Sequence, residues 1–264
     1  MLSNELVARP PSAASRVAHV APPRTPAELP RGLEIETRRG LCWRIDAPVA
    51  DLWPEQERWL AALARRLPAS IEPADPTHEE IRALRAALPA GVVLIDLETS
   101  NASSGSLFLA GALHTHKGLP IVTQLLARSD AEEPALLAAL DEILAGKQCL
   151  LTFNGKSCDW PAMQERRAAL ELGRASWPRQ MVHCDLLHHA RRRWKTRLPN
   201  CKLQTLEQYI CGRQRGADAS LGSAAEVYQD FLATGASRSL SSVLHHHAMD
   251  IITLWQLGLW MAYA

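Results

Sequence analysis

The sequence predicts an α/β fold in which a mixed β-sheet is flanked by helices, with a small N-terminal appendage. The main observation is a change of pattern at Gly91. Three apolar runs follow at close spacing, VVLIDLE, SLFLAGALHT and LPIVTQLLA, and predict three consecutive strands. Helical and strand patterns alternate after them. A three-strand meander that leads into alternating helices and strands is typical of a mixed sheet covered by helices.

The residues before Gly91 divide into two parts. Residues 1–30 are rich in Pro, Ala and Ser and have no apolar period, so they predict disorder. Residues 31–90 predict a hairpin around Arg39-Gly40, followed by two short amphipathic helices. We expect this second part to be appended to a core domain that spans residues 91–264.

The core pattern continues after the three strands. Pro134–Ala145 predicts a helix, and QCLLTFN predicts the strand after it. A second helix begins at Asp159 or Trp160, with Pro161 in its first turn, where the missing N–H removes no helical hydrogen bond. MVHCDLL predicts a further strand, and the rest of the chain is mainly helical.

Composition limits the class of protein. The net charge of the 264 residues is +1, so any nucleic-acid surface must be a local patch. The six cysteines show no C-x-x-C pairing, which fits free thiols in a reducing cytoplasm. The N-terminus lacks the apolar core of a signal peptide, and the C-terminal run IITLWQLGLWMAYA is too short to span a bilayer. We therefore expect a cytoplasmic protein that does not enter a membrane.

Two acids at the end of the first core strand are the strongest functional signal. Val92–Ile95 is an apolar, β-branched run that predicts a strand buried on both faces. Side chains alternate along a strand, so Asp96 and Glu98 point to one side and Leu97 to the other. Two such carboxylates repel each other unless a cation compensates them, and Mg²⁺ or Mn²⁺ does so with oxygen ligands. The alternative is that the strand ends at Asp96 and both acids are solvated.

Two further acids lie far away in the chain. Asp159 occurs in FNGKSCDWP and Asp250 in LHHHAMDII. Asp is a preferred N-cap, so Asp159 has helix capping as an alternative role, and one residue can serve both roles. Asn154 follows an apolar strand, where it either orders the Asn-Gly turn or contacts a substrate, and turn chemistry is favoured.

Five motifs resemble a known family. VVLIDLETS, LLTFNGKSCDWP, VHCDLLHHARRRW, LQTLEQYI and HHAMDIITL occur in the order and spacing of the YprB-type ribonuclease H-like domain, which belongs to the DEDD superfamily of 3′–5′ exonucleases. The resemblance covers about two thirds of the chain and implies a ribonuclease H-like nuclease fold. It also implies a site made by Asp96 and Glu98 from the first motif, Asp159 from the second and Asp250 from the third.

The chemistry of phosphodiester hydrolysis accounts for four carboxylates. The reaction needs a water with a lowered pKa and neutralisation of charge at the leaving oxygen, and two cations about 3.5–4 Å apart supply both. We therefore expect two ions, Mg²⁺ or Mn²⁺. Asp96 is the expected bridging ligand, Glu98 and Asp250 bind the ion on the nucleophile side, and Asp159 binds the second ion or its water shell.

The histidine run before Asp250 contains the expected general base. Enzymes of the DEDD superfamily have a His or Tyr near the third-motif acid that deprotonates or positions the attacking water, and the YprB-type pattern places it four residues earlier. On a helix, residues four apart lie about 40° apart around the axis, and residues five apart lie about 140° apart. His246 therefore shares the face of Asp250. His245 is the second choice if the helix begins later, and His247 receives no role.

The densest basic stretch is HHARRRWKTR, residues 188–197. Arg192 and Lys195 are predicted to contact phosphates, and Trp194 is predicted to stack on a base. The alternative is an ordinary solvated helix face.

These observations predict a metal-dependent hydrolase, a DEDD-type 3′–5′ exonuclease that acts on the 3′ end of single-stranded DNA or RNA. One alternative is a non-catalytic nucleic-acid-binding module on the same fold, and the presence of all four acids argues against it. The other is a structure-selective endonuclease. The choice between DNA and RNA depends on groups that recognise the 2′-hydroxyl, and the sequence does not place them.

Overall fold

A computed structural model describes residues 29–66, 78–100, 105–173, 181–213 and 223–263. The segment predicted to be disordered, residues 1–30, lies almost entirely outside the described residues. The strands are, in chain order, β1 (Leu33–Thr37), β2 (Gly40–Pro48), β3 (Val92–Thr99), β4 (Leu107–His116), β5 (Leu119–Leu126), β6 (Cys149–Thr152) and β7 (Val182–Asp185).

Helices surround these strands. They are α1 (Val49–Leu52), α2 (Gln56–Arg66), α3 (Glu79–Ala87), α4 (Glu133–Leu144), α5 (Asp159–Ala169), α6 (Leu186–Trp194), α7 (Leu203–Leu206), α8 (Ala224–Thr234) and α9 (Arg238–Tyr263). A 3₁₀ turn at Asp130–Glu132 precedes α4, and a π-helical turn at Glu207–Cys211 follows α7. The predicted hairpin, the two short helices after it and the three-strand meander are all observed.

The strands form one mixed sheet in the order β1-β2-β5-β4-β3-β6-β7. In this order, the four neighbouring pairs β1–β2, β2–β5, β5–β4 and β4–β3 are antiparallel. The remaining two pairs, β3–β6 and β6–β7, are parallel. Tight turns join β1 to β2 and β4 to β5, whereas the parallel pairs need helical crossovers, which contain α4 and α5. The predicted fold class, an α/β mixed sheet flanked by helices, is confirmed.

Strand β3 is buried on both faces, and its side chains alternate between two cores. Val92 and Leu94 belong to the cluster that includes α9, and Val93 and Ile95 belong to the cluster that includes α4. The same alternation continues beyond Ile95. The side chains of Asp96 and Glu98 therefore project on the same side of the sheet as those of Val92 and Leu94, the side on which α9 packs.

The N-terminal hairpin is an extension of the core sheet. Strand β2 pairs with β5 along Trp43–Pro48, and the hairpin is further tied down by Arg128, whose buried guanidinium forms ion pairs with Glu34 and Glu132. The hairpin was predicted as an appendage because an alternating pattern does not indicate which other strand the hairpin pairs with. The domain boundary at Gly91 stays a prediction.

The last helix, α9, is the longest of the described helices and packs across the sheet. Its buried residues run almost without interruption from Ile251 to Leu259, and they contact β3, β4 and α3. Within the parts of the chain that the structure describes, no helix is long and apolar enough to cross a membrane.

Candidate active site

The half-buried carboxyl of Glu98 marks the point at which the predicted acids converge. Burial, together with the charges of Asp250 and Asp159, raises its pKa to about 7, while His246 acts in the opposite direction. These groups come from β3, α5 and α9, which are far apart in the sequence. The fold therefore brings three of the predicted acids and the predicted histidine into one electrostatic neighbourhood.

Asp159 is attached to the strand that carries the first two acids. Its Oδ1 accepts a hydrogen bond from the N–H of Leu97, the residue between Asp96 and Glu98, at 3.0 Å. The side chain is buried, and burial raises its pKa to about 6. Cys158 occupies the N-cap position of α5, so capping is not the role of Asp159. The carboxylate instead connects α5 to the end of β3.

Helix α9 supplies the last acid and the histidine. The helix is continuous from Arg238 to Tyr263, and His246 Nε2 lies 3.4 Å from Asp250 Oδ2. The side chain of His246 is 39% exposed, and His245 is exposed on another side of the helix. The prediction that His246 shares the face of Asp250 is confirmed, and its catalytic role stays a prediction.

The sequence reasoning missed His247, which is buried against Asp96. Its Nε2 lies 3.1 Å from the backbone oxygen of Asp96 and 3.7 Å from Oδ2 of the same residue, and its Nδ1 lies 2.9 Å from Gln124 Nε2. Burial lowers the pKa of His247 to about 4, so the ring is neutral at neutral pH. The sequence does contain a signal for this burial: Val243 and Ile251 lie one helical turn before and after His247, on the same apolar face of α9.

The loop between β6 and α5 is fixed by a buried acid, Asp185. The carboxylate accepts hydrogen bonds from the N–H groups of Asn154 (2.8 Å), Lys156 (3.1 Å) and Leu187 (3.1 Å). Asn154 has φ 65°, a left-handed conformation that Asn tolerates in turns, and its amide donates to Cys158 Sγ at 3.0 Å. The favoured turn role of Asn154 is thus observed, and contact with a substrate stays a prediction.

In the basic stretch on α6, the structure corrects the predicted role of Trp194. Trp194 is 5% exposed, and its ring lies 5.0 Å from that of Trp260 between ring centroids. The predicted stacking of Trp194 on a base is therefore wrong, because the ring belongs to the core. Arg192 and Lys195 are exposed, as a contact with phosphate requires.

A second group of side chains with metal-binding chemistry lies between α3 and α6. His78, Glu80 and His189 each offer one ligand atom, and these atoms lie within 4.8 Å of one another. Lys156 Nζ already donates to Glu80 at 2.7 Å, and Arg192 donates to Nδ1 of His189 at 2.7 Å. His189 therefore carries its proton on Nε2, which lies 2.9 Å from Glu80. Lys156 balances the charge of this carboxylate, and the neutral ring of His189 donates a hydrogen bond to it, so we interpret the group as a network of one ion pair and hydrogen bonds.

The chemistry of the main site differs because all of its candidate ligands are carboxylates. Asp96, Glu98, Asp159 and Asp250 present oxygen donors, which suit the hard ions Mg²⁺ and Mn²⁺. The raised pKa values of Glu98 and Asp159 show that the metal-free site disfavours ionised carboxylates. The donor set therefore fits divalent cations.

The carboxyl of Glu98 predicts a pH dependence of stability in the presence of a chelator. Its pKa rises from the usual 4.5 to about 7, so its stabilising contribution is complete below pH 4.5 and is lost as the pH rises through 7. We expect Glu98→Gln to be more stable than the wild type above pH 7 and to lose this advantage toward pH 4.5. The difference is on the order of 3 kcal/mol, since one pKa unit corresponds to about 1.4 kcal/mol. Urea denaturation of both proteins measures it.

The comparison with the wild type is needed because three histidines with lowered pKa values change the stability with pH in the opposite direction to Glu98. Burial lowers the pKa of His114, His183 and His247 from 6.5 to about 4, so their contribution is lost as the pH falls through this range. These histidines are present in both proteins, and their effects cancel in the difference. If the free energies of unfolding of the two proteins changed with pH in the same way, the raised pKa of Glu98 would be contradicted.

Comparisons with known proteins identify the family to which the core of this chain belongs. A family model described as the RNase_H superfamily matches residues 93–262. A curated protein of Bacillus subtilis (strain 168), "Uncharacterized protein YprB", is 32% identical over 171 residues. The match covers 63% of this chain, which spans 41% of the length of YprB.

Among solved structures, the family B DNA polymerase from the hyperthermophilic archaeon Pyrobaculum calidifontis aligns with 64% of this chain and 24% of its own. The TM-score is 0.46 and the sequence identity is 14%. The match to the superfamily supports a nuclease-like function. The chain belongs to the RNase_H superfamily, and its ribonuclease H-like domain is of the YprB type.

Proposed function

We propose that this chain is a divalent-metal-dependent 3′–5′ exonuclease of the DEDD type, which hydrolyses phosphodiester bonds by a two-metal mechanism. The observation that carries the proposal is the convergence of carboxylates on the half-buried Glu98. Like charges at this density favour a bound cation, and oxygen donors favour Mg²⁺ or Mn²⁺.

The four acids have distinct proposed roles. When bound, the two ions lower the pKa of a water and neutralise charge on the reacting phosphate. Asp96 would be the ligand shared by both ions, and Glu98 and Asp250 would hold the ion on the nucleophile side. Asp159 would hold the second ion or its water shell. Oδ1 of Asp159 accepts from the backbone N–H of Leu97, which orients the carboxylate at the end of β3.

His246 is the proposed general base. Its ring is partly exposed, so it can reach a water, and Asp250 at 3.4 Å fixes its orientation. Imidazole is suited to proton transfer near neutral pH, where it accepts the proton that the attacking water loses.

The proposed substrate is the 3′ end of single-stranded DNA or RNA. Arg192 and Lys195 are exposed and offer cationic groups to backbone phosphates, and Asn154 lies on the loop that precedes Asp159. All six cysteines are free thiols, which supports a cytoplasmic location.

Labelled oligonucleotides test the proposed polarity. Purified protein with Mg²⁺ or Mn²⁺ is expected to shorten 5′-labelled single strands progressively, and to release the label of 3′-labelled strands as a mononucleotide at once. Internal fragments at early times would indicate an endonuclease instead. Binding without any cleavage, with either metal, would indicate a nucleic-acid-binding module. The Asp96→Asn protein is the control for contaminating nucleases.

A further inference from the structure

We propose that His247, Gln124 and Gly111 form a positioning device that sets the register of α9 on β3 and thereby the geometry of the metal ligands. The proposal rests on the proposed function, because it assumes that Asp96 and Asp250 bind the same metal centre. His247 is a positioning residue, since it acts through Asp96.

The three residues lie at one point of the structure. Asp96 pairs with Gly111 across β3 and β4, and Gly111 pairs with Gln124 across β4 and β5. These residues therefore form a row across the sheet. His247 lies above this row on α9, and its ring reaches both ends: Asp96 at one end and Gln124 at the other.

The hydrogen bonds determine which nitrogen of His247 carries the proton. Gln124 Nε2 lies 2.9 Å from the backbone oxygen of Leu244, which can only accept, so this atom is the amide nitrogen. An amide nitrogen can only donate, so His247 Nδ1, at 2.9 Å, must accept. The proton of the neutral ring is then on Nε2, from which it is donated to the backbone oxygen of Asp96 at 3.1 Å.

Gly111 is required because the ring occupies the space of a side chain. A Cβ at position 111 would overlap Cε1 of His247 and Cδ1 of Ile251. Only a residue without Cβ lets α9 approach the sheet this closely at this point. The sheet therefore contains a recess shaped for the imidazole.

The device joins the two halves of the candidate metal centre. Strand β3 carries Asp96 and Glu98, and α9 carries His246 and Asp250 beside His247. A fixed link at His247 prevents α9 from shifting along the sheet, and such shifts would change the distances between the ligands of the two elements. Residues that orient metal ligands typically contribute about 10–100-fold in metal affinity or activity.

The ¹⁵N NMR signals of the histidine rings test the device without any metal. In chelator, His247 of the wild type is expected to be a neutral ring with its proton on Nε2. In Gln124→Leu, which lacks the donor to Nδ1, His247 is expected to lose this fixed tautomer. A wild-type ring protonated on Nδ1, or a ring that exchanges equally between both forms, would overturn the proposal.

Mn²⁺ titration followed by electron paramagnetic resonance tests the consequence for the metal. His247→Leu is expected to bind Mn²⁺ about 10–100-fold more weakly than the wild type. His247→Gln retains a neutral donor and acceptor and is expected to recover most of the affinity. His245→Leu, the same change at an exposed position of the helix, is the matched control and is expected to bind like the wild type.

The outcomes separate the device from the proposed function. Equal Mn²⁺ affinity of His247→Leu and the wild type would overturn the positioning role and leave the metal site intact. If the wild type itself binds no Mn²⁺, the proposed function fails, and the ring tautomer alone decides whether the device exists. If His247→Leu does not fold, Gln124→Leu takes its place in the titration, with the same expected direction.

Discussion

The Asp96→Asn variant is expected to remain folded and to lose nearly all nuclease activity. Asparagine has the same shape but lacks the charge of the proposed shared ligand, so the affinity for both ions should fall. The backbone oxygen of Asp96 that contacts His247 is unchanged, so the fold should persist. In chelator its melting temperature should be no lower than that of the wild type, because one like charge has left the acid cluster. Nuclease assays and thermal melts with and without Mn²⁺ measure these effects.

The metal dependence of the melting temperature gives the internal control. Mn²⁺ should stabilise the wild type, because a ligand that binds only the native state shifts unfolding by mass action, and it should stabilise Asp96→Asn much less. Asp230→Asn, the same change at an exposed site on α8, should behave like the wild type in every assay. Full activity in a clean Asp96→Asn preparation would refute the assignment of the metal site.

The His246→Ala variant should lower the catalytic rate by roughly 10²–10⁴-fold, the usual contribution of acid–base catalysis. Binding of Mn²⁺ should survive, because the four carboxylates remain. Rates at saturating Mn²⁺ measure the first effect, and a Mn²⁺ titration measures the second.

The neighbouring histidines serve this experiment differently. His245 is exposed, so His245→Ala is the appropriate control and should stay close to the wild type. The sequence had suggested the same for His247, but that ring is buried and contacts Asp96, so its loss should impair the enzyme. If His245→Ala were the impaired variant and His246→Ala were not, the base would lie elsewhere on α9.

The sequence was sufficient wherever periodicity carries the information. The apolar run Val92–Ile95 predicted a strand buried on both faces, and alternation then placed Asp96 and Glu98 on one side of it. Helical geometry placed His246, and not His245, beside Asp250. These inferences depend only on local backbone geometry, which a sequence pattern specifies directly.

The sequence was insufficient wherever a tertiary partner decides. Trp194 lies in a basic stretch, yet its ring packs on Trp260 of a helix that is distant in the sequence. The role of His247 depends on Gln124, which approaches only when the sheet and α9 assemble. The hairpin gave no sign that its second strand pairs with β5, because alternation describes the faces of a strand and not its neighbour.

Anomalous diffraction from crystals grown or soaked with Mn²⁺ tests the central claim most directly. Two peaks, about 3.5–4 Å apart, are expected among the carboxylates of Asp96, Glu98, Asp159 and Asp250. His78, Glu80 and His189 should show no peak, because Lys156 already pairs with Glu80 and Arg192 already donates to Nδ1 of His189. Absence of Mn²⁺ from the four carboxylates at saturating concentration, or occupancy only at His78, Glu80 and His189, would contradict the account.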